Sequence, residues 1–538
     1  MFHTSHKSNE KVWFGRNLAP FHHESVSVGR AIYYTLSMNR EKVVQISDNN
    51  DMIVTNGVIF DQMICIASNL IDRGAKRDSV IAIMARNGHL IAPTIFASFV
   101  LAIPVNTLDP NYSVDEAAHM FSQTKPNIVF CDYENYEIVR SANVKIGNNM
   151  RIINFGERIQ NIENIDDYLV KTGREKSVQI VDVDAKTCAL ILCSSGSTGL
   201  SKGVRLSHQH LLHHLGRPTL WEDWEGGIVF CFSSLYWYTG LTTLLTTTLL
   251  GMTRIITTEN FSADLLLKIV QKYKVTHLIS TPMHVAMLLD HKSLTPTTLI
   301  SVRQYMMSGS ILPKDFWSKM KLYLKNGFVQ IAYGMSEVGF VALQNQNTKA
   351  YCVGHLAPCL KIKVVDENNQ SLSTGEIGEL CFKSPYTFLG YAANEKATRE
   401  MIDEDGWIHS GDIGKMDENG CLHVIDRKKE ILKYSNHHVS PSEIEGIIIS
   451  HPDVSFVSVV GIPDRVCTDL PAAVIVRKEG ASVSEKEISE LVASKLSDPK
   501  HLRGGVFFVD QLPLTPSGKV KKAKVKEMAI EFYGSFRH

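Results

Sequence analysis

The sequence predicts an α/β fold in at least two domains, and three textures along the chain carry that reading. From about Lys42 to Val285, helical patterns alternate with short β-branched or apolar runs: "VIAIMA", "PNIVFCD", "CALILCSS", "GIVFCF", "TRIIT" and "VTHLIST". Such alternation is the mark of βαβ units around parallel sheets. From Lys361 to Ile425, "KIKVVDENNQSLSTGEIGELCFKS" reads instead as short strands joined by Asn- and Gly-rich turns. Near Asp426 a third texture begins. There "SEIEGIIISHPDVSFVSVVGIPDRV" and "EKEISELVASKL" alternate helix and strand in a compact tail. At 538 residues the chain exceeds one typical core.

Composition narrows the function. Hydrophobic residues make up 44% and charged residues 21%, the balance of a globular protein. A net charge of +0 gives no electrostatic footprint for nucleic acid or an anionic membrane. The ten cysteines are scattered and form no C-x-x-C, so reduced thiols in an intracellular protein are expected. "MFHTSHKSNEKVWFGRN" lacks the apolar centre of a signal peptide. "LIAPTIFASFVLAIPV" is short for a membrane span and carries Pro93 and Pro104. It is expected to be a buried helix running into a core strand. The chain ends "SFRH" rather than Ser-Lys-Leu, the simple peroxisomal address.

Five stretches carry candidate chemistry. "SSGSTGLSKG", Ser194 to Gly203, follows a strand-like run and precedes the helical "HQHLLHHL". Backbone N–H groups of a Gly/Ser/Thr loop can form an anion nest, and Lys202 adds a point charge. The spacing is not that of a Walker loop, because Ser201 stands where the second Gly belongs and Gly203 where a hydroxyl belongs. "AYGMSEVG" sets Tyr333, Ser336 and Glu337 on one tight segment, suited to a base, a phosphate oxygen and Mg²⁺. "GWIHSGDIG" presents Asp412 among glycines, a carboxylate able to accept from two vicinal hydroxyls. "IDRKKEILKYSNHHVSPSEIE" opens with Asp426-Arg427, and "LPLTPSGKVKK" places Lys519 in a Pro/Gly turn. Taken singly, each stretch could also be a turn, a cap or a solvated charge.

Together and in this order, these stretches resemble the adenylate-forming superfamily of acyl-CoA synthetases, coumarate–CoA ligases, beetle luciferases and non-ribosomal adenylation domains. The likeness runs from about Ala31 to Met528, and "FLGYAANEKAT", "DEDGWIHSGDIG" and "HLRGGVFFVDQLPLTPSGK" look closest to the luciferase and coumarate-ligase branch. The resemblance implies a large N-terminal domain, residues 1–425, of two βαβ-type subdomains and a small β-barrel-like one. It implies a small mobile α+β C-terminal domain, residues 426–538, hinged at Asp426. Ser195, Ser197, Thr198 and Lys202 would hold the β- and γ-phosphates of ATP, and Tyr333 would lie against adenine. Ser336 would contact the α-phosphate and Glu337 would hold Mg²⁺. Asp412, helped by Arg427, would grip the ribose, and Lys519 would bridge the acid and the α-phosphate. After rotation about the hinge, Lys433 would replace Lys519 for transfer to coenzyme A.

The pattern departs from the family in places. "LYWYTG" stands where many relatives read "HHGFG", so Trp237 occupies the position of a usual histidine and Tyr238 that of a small residue. Trp237, Tyr238, Thr239, Ser310 and Ile311 would wall the acyl pocket, narrowed or redirected by the bulky pair. Loss of the imidazole argues against luciferase activity. Asn436-His437-His438 replaces the frequent Gly-Tyr/Phe-Gln near the hinge.

His208, His210, His213 and His214 fall within "HQHLLHH", and His210 and His214 are one helical turn apart. No Cys or carboxylate completes a metal site in the run, so a solvated or partly buried helix face is expected. The expected function is an ATP-dependent acyl-CoA synthetase for a fatty or aromatic acid, using ATP, Mg²⁺ and coenzyme A. The alternative is a catalytically impaired relative that binds nucleotide or acyl ligand as a sensor or partner module. Retention of Lys202, Glu337, Asp412, Arg427 and Lys519 favours the enzyme. Small-molecule partners, no nucleic acid, no membrane span and a cytosolic or peroxisomal setting complete the expectation. The identity of the acid and the oligomeric state are not legible.

Overall fold

The computed structural model describes residues 4–7, 10–19, 22–184, 186–194, 201–215, 224–348, 351–386, 388–435, 437–515 and 519–536. Ser195, Ser197, Thr198 and Asn436 lie outside the described residues.

Two largely parallel sheets dominate the N-terminal part. The seven-stranded one runs, in spatial order, Lys202–Ser207, Cys188–Ser194, Val105–Thr107, Ile81–Met84, Ile128–Asp132, Arg151–Phe155 and Glu163–Asn164. All its pairings are parallel except the hairpin of Cys188–Ser194 with Lys202–Ser207. The nine-stranded one has a parallel centre of Phe328–Met335, Gln304–Met307, His277–Ser280, Ile228–Cys231, Thr253–Ile256 and Val43–Ser47. Each of the six apolar runs read from the sequence is a strand of one of these sheets. Their continuous apolar character follows from being covered on both faces.

The segment from Leu90 to Val105 behaves as expected. Ile91–Val100 is a helix buried at every position, and it leads into the strand Val105–Thr107. Pro93 is tolerated because it lies in the first turn, where backbone N–H groups have no intrahelical partner. This helix crosses Val28–Met38 so closely that a Cβ on Gly29 would lie 2.1 Å from the Phe99 carbonyl oxygen. Among the described residues, no helix is long and apolar enough to cross a membrane.

Where the sequence suggested a barrel-like subdomain, an antiparallel six-stranded sheet forms with Thr4–Lys7 and Leu422–Arg427 at its edges. The C-terminal part is a five-stranded sheet centred on Val454–Asp464 and Thr468–Arg477, with helices Pro441–Ile448, Glu485–Lys495 and Lys522–Phe536. It rests on the N-terminal part. One apolar cluster joins Val285 and Ala286 of helix Pro282–Leu289 to Ile448, Val454 and Val457. At its rim Ser455 donates to Asp290 at 2.7 Å.

One expectation is corrected. Cys352 and Cys421 are disulfide-bonded, while the other described cysteines are free. They meet because the loop before Gly354 lies along strand Leu422–Arg427: Val353 N–H donates to Leu422 O and Leu422 N–H to Gly354 O, both at 2.9 Å. That pairing is tertiary, 69 residues apart in sequence, and scattered cysteines carry no local trace of it.

Candidate active site

The candidate residues gather at the carboxyl ends of the parallel strands, where open α/β sheets bind ligands. Gln304–Met307 leads to Gly309, Phe328–Met335 to Ser336 and Glu337, and Ile228–Cys231 to Trp237. The six-stranded sheet supplies the opposite side. Asp412 and Arg427 face each other there on antiparallel strands Ile408–Met416 and Leu422–Arg427.

Asp412 is buried and doubly engaged. Tyr333 donates its hydroxyl to Oδ2 at 2.5 Å, and Arg427 Nε lies 3.3 Å from Oδ1. Burial raises the Asp412 pKa, while Arg427 and the Tyr333 hydrogen bond oppose the rise. Tyr333 is pushed well above the usual phenol range by its own burial and by Asp412. Glu337 is also buried, and it accepts from the Tyr391 hydroxyl at 2.7 Å. Its pKa is raised by burial and held back by that bond, Arg427 and Lys202. Lys202 Nζ lies 5.0 Å from the Tyr391 ring centroid, so one aromatic residue touches both this lysine and Glu337.

Lys519 reaches this cluster from near the C-terminus. Its N–H donates to Thr515 Oγ1 at 3.0 Å, and its side chain passes over Gly309, where a Cβ would lie 3.3 Å from Cε. Burial lowers its pKa to about 8; Arg427 adds repulsion and Asp412 opposes both. Lys202, Arg427 and Lys519 therefore act on the same cluster as the carboxylates Glu337 and Asp412, with Lys429, Glu430 and Asp426 also within its field.

Other candidate residues are placed as follows. Ser336 is half-buried in the turn before Glu337, and Trp237, Tyr238 and Thr239 are half-buried at the start of helix Tyr238–Leu250. Tyr238 OH comes within 3.5 Å of His210 Nε2, and Thr239 donates to Ser233 at 3.0 Å. Ser310 and Ile311 are exposed; Gly309 is the member of that stretch against Lys519. Lys433 sits apart from the cluster, exposed on strand Leu432–Tyr434. Asp426 is buried, and its Oδ2 accepts from Ser440 Oγ at 2.7 Å and Ser442 N–H at 3.0 Å. Its carboxylate thus satisfies an early N–H of helix Pro441–Ile448.

The histidine helix differs from the expected solvated or partly buried face. His208, His210, His213 and His214 are all buried. His208 Nδ1 accepts from Val28 N–H at 3.2 Å, and His213 stacks on Tyr386 at 4.0 Å. Among the described residues, no group of three His, Cys, Asp or Glu could hold a metal.

Sequence reasoning missed Tyr391 and Gly309. Tyr391 is delivered by pairing between the segment around it and strand Lys202–Ser207: Ala392 N–H donates to Gly203 O and Leu389 N–H to Arg205 O, both at 2.7 Å. Its only sequence signal was its place in "FLGYAANEKAT".

Parallel sheets, a small C-terminal α+β part and a charged cluster between them define an adenylate-forming enzyme. The chain belongs to the AMP-binding enzyme family, which matches residues 38–392; the AMP-binding enzyme C-terminal domain matches residues 443–519. It is 30% identical to a luciferin 4-monooxygenase of Nipponoluciola cruciata over 87% of this chain and 88% of that protein. It is 30% identical to 4-coumarate-CoA ligase 1 of Narcissus pseudonarcissus over 70% of this chain and 71% of that protein. ATP-bound MatB from Rhodopseudomonas palustris has the same fold, with a TM-score of 0.85 at 23% identity, covering 94% of this chain and 100% of that one.

Proposed function

We propose that this protein is an ATP-dependent acyl-CoA synthetase that activates a fatty or aromatic acid as its acyl-adenylate and passes the acyl group to coenzyme A. The observation that carries the reading is the convergence of Lys519 with Asp412 and Arg427 from elements far apart in sequence.

A carboxylate oxygen attacks the α-phosphorus of ATP, the bond to pyrophosphate breaks, and acyl-AMP forms. The nucleophile is already ionised, so no base is required. Two anions must meet, and Lys519 offsets the charge that spreads over the phosphoryl oxygens. Asp412 and Arg427 hold the ribose hydroxyls, Tyr333 flanks the base, and Ser336 contacts the α-phosphate. Lys202 serves the phosphate side, a role this reading extends to Ser195, Ser197 and Thr198, which lie outside the described residues. Glu337 fits Mg²⁺, because it is one carboxylate beside the phosphate side, and that ion takes one or two carboxylates together with phosphates and waters. Bound there, the ion would neutralise phosphate oxygens. The thiol of coenzyme A then attacks the acyl carbonyl and AMP leaves. This second step follows rotation of the part beyond residue 425 about Asp426, which replaces Lys519 by Lys433.

Trp237, in the place of a histidine, supports a thioester product over light emission. It also motivates the second reading, a nucleotide or acyl sensor with an impaired site. Pyrophosphate exchange with a panel of carboxylic acids, followed by detection of CoA thioesters, decides between them. Acid-dependent exchange and a thioester are expected; ATP binding with no exchange for any acid would sink the synthetase reading.

A further inference from the structure

The Lys519 ammonium feels the charges of Arg427 and Asp412 from the side of the six-stranded sheet. From helix Tyr238–Leu250 it meets an aromatic face, with Nζ 5.2 Å from the centroid of the Trp237 ring. An ammonium within about 6 Å of an indole centroid is attracted by the ring quadrupole.

That indole is fixed in place. Trp237 is the N-cap of helix Tyr238–Leu250; its N–H donates to Ser234 O and its carbonyl accepts from Leu241 N–H, both at 3.1 Å. Its ring meets Tyr236 edge-on at 4.6 Å, and Tyr236 is tied to the Tyr112 hydroxyl at 3.1 Å. Space on the other side is kept open by Gly309, whose φ of +102° and missing side chain let the lysine pass.

We propose that Trp237 is the positioning residue for Lys519, its indole face holding the ammonium at the point where acid and α-phosphate meet. The inference rests on the adenylation role of Lys519 proposed above. A half-buried ammonium repelled by Arg427 needs a stabilising neighbour. A second carboxylate would occupy its N–H donors, and a protonated imidazole would repel it. An aromatic face stabilises the cation and accepts none of its three hydrogens strongly, so all three stay available for substrate oxygens. The tryptophan that departs from the family pattern therefore does more than narrow an acyl pocket.

The test reads Lys519 directly. Pulsed acetic anhydride labelling of the free protein across a pH series, with mass spectrometry, gives the titration midpoint of the Lys519 amine. Slowed labelling of the half-buried Lys522, paired with Glu430 and Glu445, reports that each variant is folded. Wild type should titrate near 8. Trp237→Leu should move the midpoint down by about 0.5 to 1 pH unit, and Trp237→Phe should stay near wild type. An unmoved midpoint in Trp237→Leu, or equal shifts in both variants, overturns the proposal. A cycle of Trp237→Leu and Lys519→Met completes the test by pyrophosphate exchange. Trp237→Leu should cost roughly tenfold in wild type and nothing more in the Lys519→Met background. The same loss in both backgrounds would make Trp237 a pocket wall only. If no acid supports exchange, the synthetase reading falls, and labelling still decides whether Trp237 holds Lys519.

Discussion

The two halves of the candidate site are built differently. In the half proposed to take the nucleotide, Tyr333, Asp412 and Arg427 are joined by a hydrogen bond and an ion pair, and Glu337 and Tyr391 by a hydrogen bond, most of these residues lying on strands of two sheets. On the acid side, Trp237, Tyr238 and Thr239 begin a helix, while Ser310 and Ile311 are exposed. The first half is held by charge and hydrogen bonding, which demand particular residue types at particular places. The second is held by packing of Trp237 on Tyr236 and by the uncharged hydrogen bonds of Tyr238 and Thr239. From the contrast we expect the charged half to govern nucleotide binding and the packed half to govern the choice of acid.

Three experiments would break or sharpen that contrast. Lys519, which spans both halves, should matter most. Lys519→Ala is expected to lower adenylation roughly 10²- to 10³-fold while sparing thioester formation from supplied acyl-adenylate. Equal loss of both half-reactions, with the fold intact, would remove the division of labour between Lys519 and Lys433. Next, Asp412→Ala removes a charged acceptor from the nucleotide half and should raise the KM for ATP by about 10- to 100-fold. The preference among acids should be unchanged, and an altered acid preference would mean that the halves are not separate. Smallest in total rate, but largest in selectivity, is Tyr238→Ala. Shortening this side chain, which reaches His210, should favour larger acids by about tenfold in relative kcat/KM, with the KM for ATP unmoved.

Legibility in the sequence followed the same division. Parallel strands were readable because burial on both faces leaves uninterrupted apolar runs such as Ile128–Asp132. Asp412 and Glu337 stood out in the sequence as carboxylates among glycines, in "HSGDIG" and "YGMSEVG", and Arg427 by its place beside Asp426 at the texture change. Tyr391 was not, since its role exists only once its segment pairs with strand Lys202–Ser207. Nor was the Trp237–Lys519 contact, between residues distant in sequence on a helix cap and a turn. The disulfide of Cys352 and Cys421 was missed for the same reason.

Helix His208–Leu215 sets a lower limit to the acidity the fold can withstand. His208 and His210 each have their pKa lowered to about 4 by burial, against an ordinary value of 6.5, and His284, stacked on Phe261 at 3.8 Å, shares that depression. A base whose folded value lies below its unfolded one takes up its proton first in the unfolded chain. Stability is therefore complete above about 6.5 and drains away as pH falls toward 4, on the order of 1 kcal/mol per pH unit for each imidazole. His208 makes the cost concrete, because protonating its Nδ1 would strip Val28 N–H of its acceptor. The thermal midpoint should fall steadily between neutrality and that limit, and His208→Gln should blunt the fall. His208 and His210, part of a run that resembles a metal site in sequence, thus act in the fold as an acid-labile joint, intact only while they carry no charge.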